Sequence, residues 1–123
     1  MKFYSEVYEH YQSFGLKEVF PKARQLWEVG HFNREVWDTL VSDGFWIDML
    51  ADKGDEAGWA KSFSALEGLS SSCCDSGLVL SMVSQFGVYW GLLQHGSPEQ
   101  MKSILPKIRQ GAICAIAIAE PHT

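Results

Sequence analysis

The chain has 123 residues, of which 46% are hydrophobic and 13% aromatic, and its formal net charge is −5. This length suits one domain with a buried core, and the apolar fraction excludes an intrinsically disordered chain. The acidic balance, without any basic cluster, argues against a protein that binds nucleic acid.

The amino terminus and the cysteines both indicate a reducing compartment. The first ten residues mix polar and aromatic side chains, without the apolar run of a signal peptide. The three cysteines are Cys73, Cys74 and Cys114, an odd number with no metal-binding spacing. We therefore expect a cytoplasmic protein with reduced thiols and no metal site.

Two amphipathic helices are predicted at the start of the chain. Apolar and aromatic residues recur at helical spacing over residues 2–14 and so share one face. Gly15 predicts a break, Pro21 marks the first turn of the second helix, and Gly30 marks its end. Aromatic residues at this spacing, Trp27 among them, are expected in the core.

A third helix is predicted to begin with Asn33 as its N-cap. Phe32 before the cap and Trp37 after it are placed to pack together as a hydrophobic staple. Gly44 is expected to end the helix, because glycine readily adopts the left-handed conformation found at helix ends.

The next helix is predicted from Trp59 to about Leu69, where serines at 70–72 interrupt the pattern. A serine run beside a cysteine pair also suggests a nucleophile. No histidine or other general base is local, however, and the Gly-x-Ser-x-Gly elbow is absent. We interpret the serine run as a helix end or turn.

Residues 77–95 are the most apolar part of the chain and predict a helix buried at the centre of the bundle. Two serines and Gln85 interrupt the segment, no basic residues flank it, and it is shorter than the ~20 residues that a membrane span needs. We therefore expect no membrane span. Gly87 and Gly91 lie one turn apart and predict a notch for another helix or a cofactor, of which we favour the helix.

The last quarter of the chain contains a helix with a clear start and a clear end. Ser97, Pro98 and Gln100 form a capping-box pattern, with proline at the first helical position. Gly111 occupies the position where a left-handed residue is expected to end the helix.

An apolar run rich in isoleucine follows at residues 112–119 and predicts a buried β-strand. A buried strand needs hydrogen-bonded neighbours, since unpaired backbone groups are costly inside a protein. We therefore divide the chain into a helical domain, residues 1–111, and the first strand of a β-sheet domain, residues 112–123.

These last segments resemble the acyl-CoA dehydrogenase family. That family has the pattern Gly-Thr/Ser-x-Glu-Gln-x-Lys, then Leu-Pro, then Gly, then a strand that ends in Thr-Glu-Pro. This chain has GSPEQMK at 96–102, LP at 105–106, Gly111, and AIAEP at 117–121. Ala119 stands where the family has threonine.

The resemblance implies an all-α fold of about six helices with a short terminal strand. It implies the N-terminal helical domain of an FAD-dependent enzyme that α,β-dehydrogenates an acyl thioester. The catalytic glutamate of the family lies in a C-terminal bundle, so no residue of this chain is predicted to be catalytic. The residues implied to line the acyl pocket are Val79, Leu80, Val83 and Phe86. Those implied to form the flavin wall are Ile116, Ile118 and Ala119.

The resemblance also implies partners. These are an acyl-CoA or acyl-carrier-protein thioester, an electron-transfer flavoprotein or other electron acceptor, and further copies of the chain in a homo-oligomer. We expect the 123 residues alone to be inactive and to retain no FAD, because they supply only one wall of the site. Two alternatives stay open: a flavin monooxygenase or nitroalkane oxidase of the same fold, and a non-catalytic helical interaction module.

Overall fold

The computed structural model describes residues 3–50 and 56–117, and these form an all-α bundle, as predicted. Six of the helices have nine residues or more, and one, α4, has five. In chain order the helices are α1 (Ser5–Phe14), α2 (Phe20–Val29), α3 (Arg34–Ser42), α4 (Phe45–Met49), α5 (Glu56–Cys73), α6 (Ser76–His95) and α7 (Pro98–Arg109).

The predicted N-caps of α3 and α7 are present in the structure. The Asn33 side chain caps α3 by accepting from the backbone N–H three residues on, at 3.2 Å. The Phe32 and Trp37 rings lie 5.8 Å apart across that cap, which confirms the staple. At α7, Ser97 Oγ accepts from Gln100 N at 3.2 Å while Gln100 Oε1 accepts from Ser97 N at 2.8 Å. The predicted capping box is therefore confirmed.

The predicted break at Gly15 is wrong. A π-helical turn, Gly15–Val19, connects α1 to α2 without leaving the helix. Gly15 lies directly against α5, where a Cβ would fall 2.4 Å from Ser72 Oγ and 3.0 Å from the Leu69 carbonyl oxygen. This glycine is required by the close approach of two helices and not by a turn.

The serine run at residues 70–72 also stays helical, so the predicted helix end is wrong by one turn. Ser70 Oγ donates to the Glu67 carbonyl at 3.1 Å, and Ser71 Oγ donates to the Gly68 carbonyl at 2.7 Å. These bonds to carbonyls one turn back satisfy the hydroxyls within the helix. As a result α5 continues to Cys73.

Aromatic rings fill the core where α3, α4 and α6 meet. Trp37 and Trp46 are fully buried, with ring centroids 4.9 Å apart, and Phe86 lies 5.6 Å from Trp46. Trp37 Nε1 donates to the Gly111 carbonyl at 3.0 Å. This bond attaches the end of α7 to the core.

Trp27 does not belong to the core, although its spacing predicts that it should. Its side chain is 82% exposed, and Ala23, one turn earlier, is the buried residue of α2. Helical spacing identifies a shared face, but it does not indicate whether a neighbouring helix extends along the whole of that face.

Helix α6 is not central either. Its buried residues lie on one side and are Leu78, Met82, Gln85, Phe86 and Tyr89. The opposite side is open: Leu80 is 67% exposed, and Val83 and Trp90 are each 49% exposed. The expectation of burial all round is therefore wrong, since the described helices cover only one side.

The length argument against a membrane span fails as well, because α6 has 20 residues. Its length and composition alone would allow it to cross a bilayer. One such helix is weak evidence by itself. Only 28% of this window is buried inside the protein, so α6 is not covered as a core helix would be.

The predicted strand is absent from residues 112–117, which have no regular secondary structure. The described part of the chain contains no strand that could pair with them. Residues 118 and 119, the end of the predicted strand, lie outside the described residues. The division of the chain at Gly111 stays a prediction.

Candidate functional site

An apolar groove of about 380 Å³ lies between α5 and α6 on the outer side of the bundle. We call it the aromatic groove. One wall comes from α5 and the other from α6, each through residues spaced three or four apart on one helix face. Its lining residues are Trp59, Phe63, Leu66, Val83, Phe86, Gly87 and Trp90.

The groove is attached to the core through its own rings. The Trp59 ring lies 5.9 Å from Phe63 and 6.4 Å from Phe86. Phe86 in turn packs on Trp46 and Phe45 in the core, at 5.6 Å and 6.4 Å. The walls are therefore held in place by buried packing and are preformed, as binding sites usually are.

The structure separates the residues predicted to line the acyl pocket into two neighbouring hollows. Val83 and Phe86 line the aromatic groove. Val79 and Leu80 line a second hollow of about 670 Å³ beside the α5–α6 turn, which Val83 also borders. We call this second space the turn hollow. Val83 thus lies at the boundary between a space rich in aromatic rings and one lined by small, polar and aliphatic residues.

Among the described residues, a side chain and not a helix lies in the Gly87 notch. A Cβ at Gly87 would fall 2.9 Å from Ile116 Cδ1, so the Ile116 side chain occupies the notch. A Cβ at Gly91 would meet no atom of the described residues within 4 Å. Ile116, predicted for the flavin wall, therefore lies at the groove, while Ile118 and Ala119 fall outside the described residues.

Gln85 holds the chain after α7 in place, a role that sequence reasoning missed. Its side chain is fully buried, its Nε2 donates to the Ala112 carbonyl, and its Oε1 accepts from Cys114 N at 2.9 Å. A primary amide can donate to a backbone carbonyl and accept from a backbone N–H at the same time, as the backbone of a neighbouring strand would. The signal in the sequence was the helical spacing of Gln85 from Leu78 and Met82, which places all three residues on the same buried face of α6.

The Leu50 carbonyl at the end of α4 accepts hydrogen bonds from two other helices. This oxygen accepts from the Tyr89 hydroxyl and from Arg109, whose Nε and Nη2 lie at 3.3 Å and 3.2 Å. Helices α4, α6 and α7 therefore meet at one atom. Arg109 belongs to the polar face of α7 by spacing, so periodicity gave no sign of this contact.

The described residues offer little acid–base chemistry near the groove. None of the residues that line it ionises, and no cluster of three or more His, Cys, Asp or Glu in the described part of the chain could hold a metal. Burial raises the pKa of both the Cys73 and the Cys114 thiols, which disfavours the reactive thiolate. The arrangement is suited to binding an apolar group.

Comparison with known families gives one match. A family model described as acyl-CoA dehydrogenase, N-terminal domain, matches residues 4–112. The matched residues include the seven α-helices of the described part of the chain and both walls of the aromatic groove. Comparisons with curated proteins and with solved structures found no match.

Proposed function

The chain belongs to the acyl-CoA dehydrogenase family, as its N-terminal helical domain, and we propose that it forms one wall of the acyl-thioester site in an FAD-dependent dehydrogenase. The observation that carries this proposal is the preformed aromatic groove. Burial of an acyl chain in such a groove contributes roughly 0.8 kcal/mol per methylene. The domain's part in α,β-dehydrogenation is to bind the acyl chain and exclude water.

The residues after Gly111 fit the ring of a flavin better than its phosphates. Ile113 and Ile116 are 50% and 47% exposed, which leaves apolar surface for a ring to cover. The described residues after Gly111 carry no charged side chain that could pair with a phosphate. FAD, which the family generally uses, supplies the hydride-accepting chemistry when bound. We propose that Ile116 positions that ring beside the groove.

The proposal extends to partners and location. We propose coenzyme A or an acyl carrier protein as the thioester carrier, an electron-transfer flavoprotein or other acceptor, and a homo-oligomer. A cytoplasmic location is consistent with the free thiols of Cys73, Cys74 and Cys114. A non-catalytic interaction module is the second candidate, because Leu80 and Trp90 expose apolar surface.

A bulky residue placed in the groove tests the function. In the full-length protein, Val83→Trp is expected to abolish binding of an acyl-CoA, measured by calorimetry against coenzyme A alone. Val29→Trp on α2 is the matched control, since Val29 is 56% exposed and Val83 49%. Equal acyl-CoA affinity in both variants would show that the acyl chain lies elsewhere. No acyl-CoA binding by the unaltered protein would favour the interaction module.

A further inference from the structure

We propose that the aromatic groove selects acyl groups that carry an aromatic ring over straight-chain acyl groups. This inference rests on the proposed function and narrows its substrate class. Four of the seven lining residues are aromatic: Trp59, Phe63, Phe86 and Trp90. By contrast, none of the described residues that line the turn hollow is aromatic. The rings are therefore concentrated in one of the two spaces.

The rings of the groove offer both contact geometries that aromatic groups prefer. The ring planes of Trp59 and Phe63 differ by 33°, so their faces point in similar directions. The ring planes of Phe86 and Trp59 differ by 66°, which is near an edge-to-face arrangement. Aromatic pairs are favoured in offset-stacked and edge-to-face arrangements, with centroids about 4.5–7 Å apart. A flat ring in the groove can meet a face on one side and an edge on another.

The groove has room for such a ring, since its volume is about 380 Å³. Its α6 wall includes Gly87, which has no side chain, although the tip of Ile116 lies beside it. Trp90 on the same wall is 49% exposed. Phe63 on the opposite wall is also 49% exposed. Both aromatic side chains therefore have free surface for a ligand.

Aromatic walls favour an aryl group beyond the area that it buries. A straight alkyl chain gains the same free energy of burial from an aliphatic wall as from an aromatic one. An aryl group gains that free energy and also stacks on the rings, which raises its affinity by about fivefold for each ring pair. The preference for aryl over alkyl thus depends on the groove rings themselves.

Two thioesters of equal carbon number test the inference in the full-length protein. Phenylpropanoyl-CoA and nonanoyl-CoA are titrated by calorimetry, and the ratio of their affinities is the readout. We expect the aryl ligand to bind at least about fivefold more tightly. Phe63→Leu should reduce this ratio by about fivefold, because one ring pair is lost while an apolar wall remains.

Phe20→Leu on α2 is the control, since Phe20 and Phe63 are each 49% exposed and only Phe63 lines the groove. A ratio that falls in Phe63→Leu but not in Phe20→Leu supports the inference. Equal or tighter binding of nonanoyl-CoA overturns the inference and leaves the proposed function intact. Binding of neither thioester overturns both.

Discussion

Along α6, Leu78 is fully buried, while Leu80, two residues later, is 67% exposed. The same contrast continues with Met82, which is buried, and Val83, which is 49% exposed. Both sides of the helix carry large apolar residues, but the bundle covers only one of them. Apolar composition therefore shows that a surface requires a covering and does not reveal what covers it.

Two polar side chains on the buried side, Gln85 and Tyr89, sharpen this contrast. Gln85 bonds the backbone of Ala112 and Cys114, and Tyr89 donates to the Leu50 carbonyl. The exposed side contributes Val83, Gly87 and Trp90 to the aromatic groove and no ionisable group. The buried side of α6 holds the chain together, and the exposed side offers a place to bind.

The largest expected effect comes from truncating the same residue type on the two sides. Leu78→Ala should lower the free energy of unfolding by about 2–5 kcal/mol, because it leaves a cavity in the core. Leu80→Ala should change it by no more than about 0.5 kcal/mol, since its side chain is mostly in solvent. Urea unfolding followed by circular dichroism measures both. Similar losses would mean that a further part of the protein covers Leu80.

Gln85→Leu should lower the free energy of unfolding by about 1–3 kcal/mol, because the backbone groups of Ala112 and Cys114 lose the buried amide that they bond. Amide hydrogen exchange should show faster exchange at Cys114 N. Ser84→Ala is the control, as Ser84 Oγ bonds only the Leu80 carbonyl one turn back. Unchanged protection at Cys114 would show that other contacts hold this segment.

Asp75 is the N-cap of α6, so replacing it should change the stability of the whole helix and not of one side. Its side chain accepts from Leu78 N at 2.9 Å. Asp75→Ala should therefore cost about 1 kcal/mol in thermal or urea unfolding, the usual value of an N-cap. Asp75→Asn retains an acceptor and should preserve most of the stability. If asparagine is as destabilising as alanine, the carboxylate charge and not the cap is what matters.

Removing the Tyr11 hydroxyl should have the smallest effect on stability at neutral pH. Burial raises its pKa to about 12 from 10.0, and the carboxylates of Asp48 and Asp43 add to the shift. The folded protein therefore retains this proton at pH values where the unfolded chain has lost it. Its contribution to stability is complete below pH 10 and is lost as the pH rises from 10 to about 12.

Tyr11→Phe retains the ring that packs 5.2 Å from Phe45 and removes the titration. The urea midpoint of this variant should fall less steeply than that of the unaltered protein over the same alkaline range. An equal slope in the two proteins would show that Tyr11 titrates alike in the folded and unfolded states.

Sequence reasoning named two of the seven residues that line the aromatic groove, Val83 and Phe86. It assigned them to an acyl pocket, and that role stays a prediction. Trp59 and Phe63 on α5 were predicted only as part of a helix, with no statement of whether they pack inward or line a site. Phe63 is 49% exposed. Its spacing is compatible with either outcome, so periodicity could not distinguish them.

The sequence by itself determined the all-α class and the caps at Asn33 and Ser97, since a cap depends on backbone groups within three residues of it. Only the tertiary structure decided which apolar surface is buried. Trp27 and Trp90 are largely or half exposed, whereas Trp37 and Trp46 are fully buried, although all four lie in helical segments. Burial depends on which distant helix reaches a given turn, and residues adjacent in sequence carry no record of that.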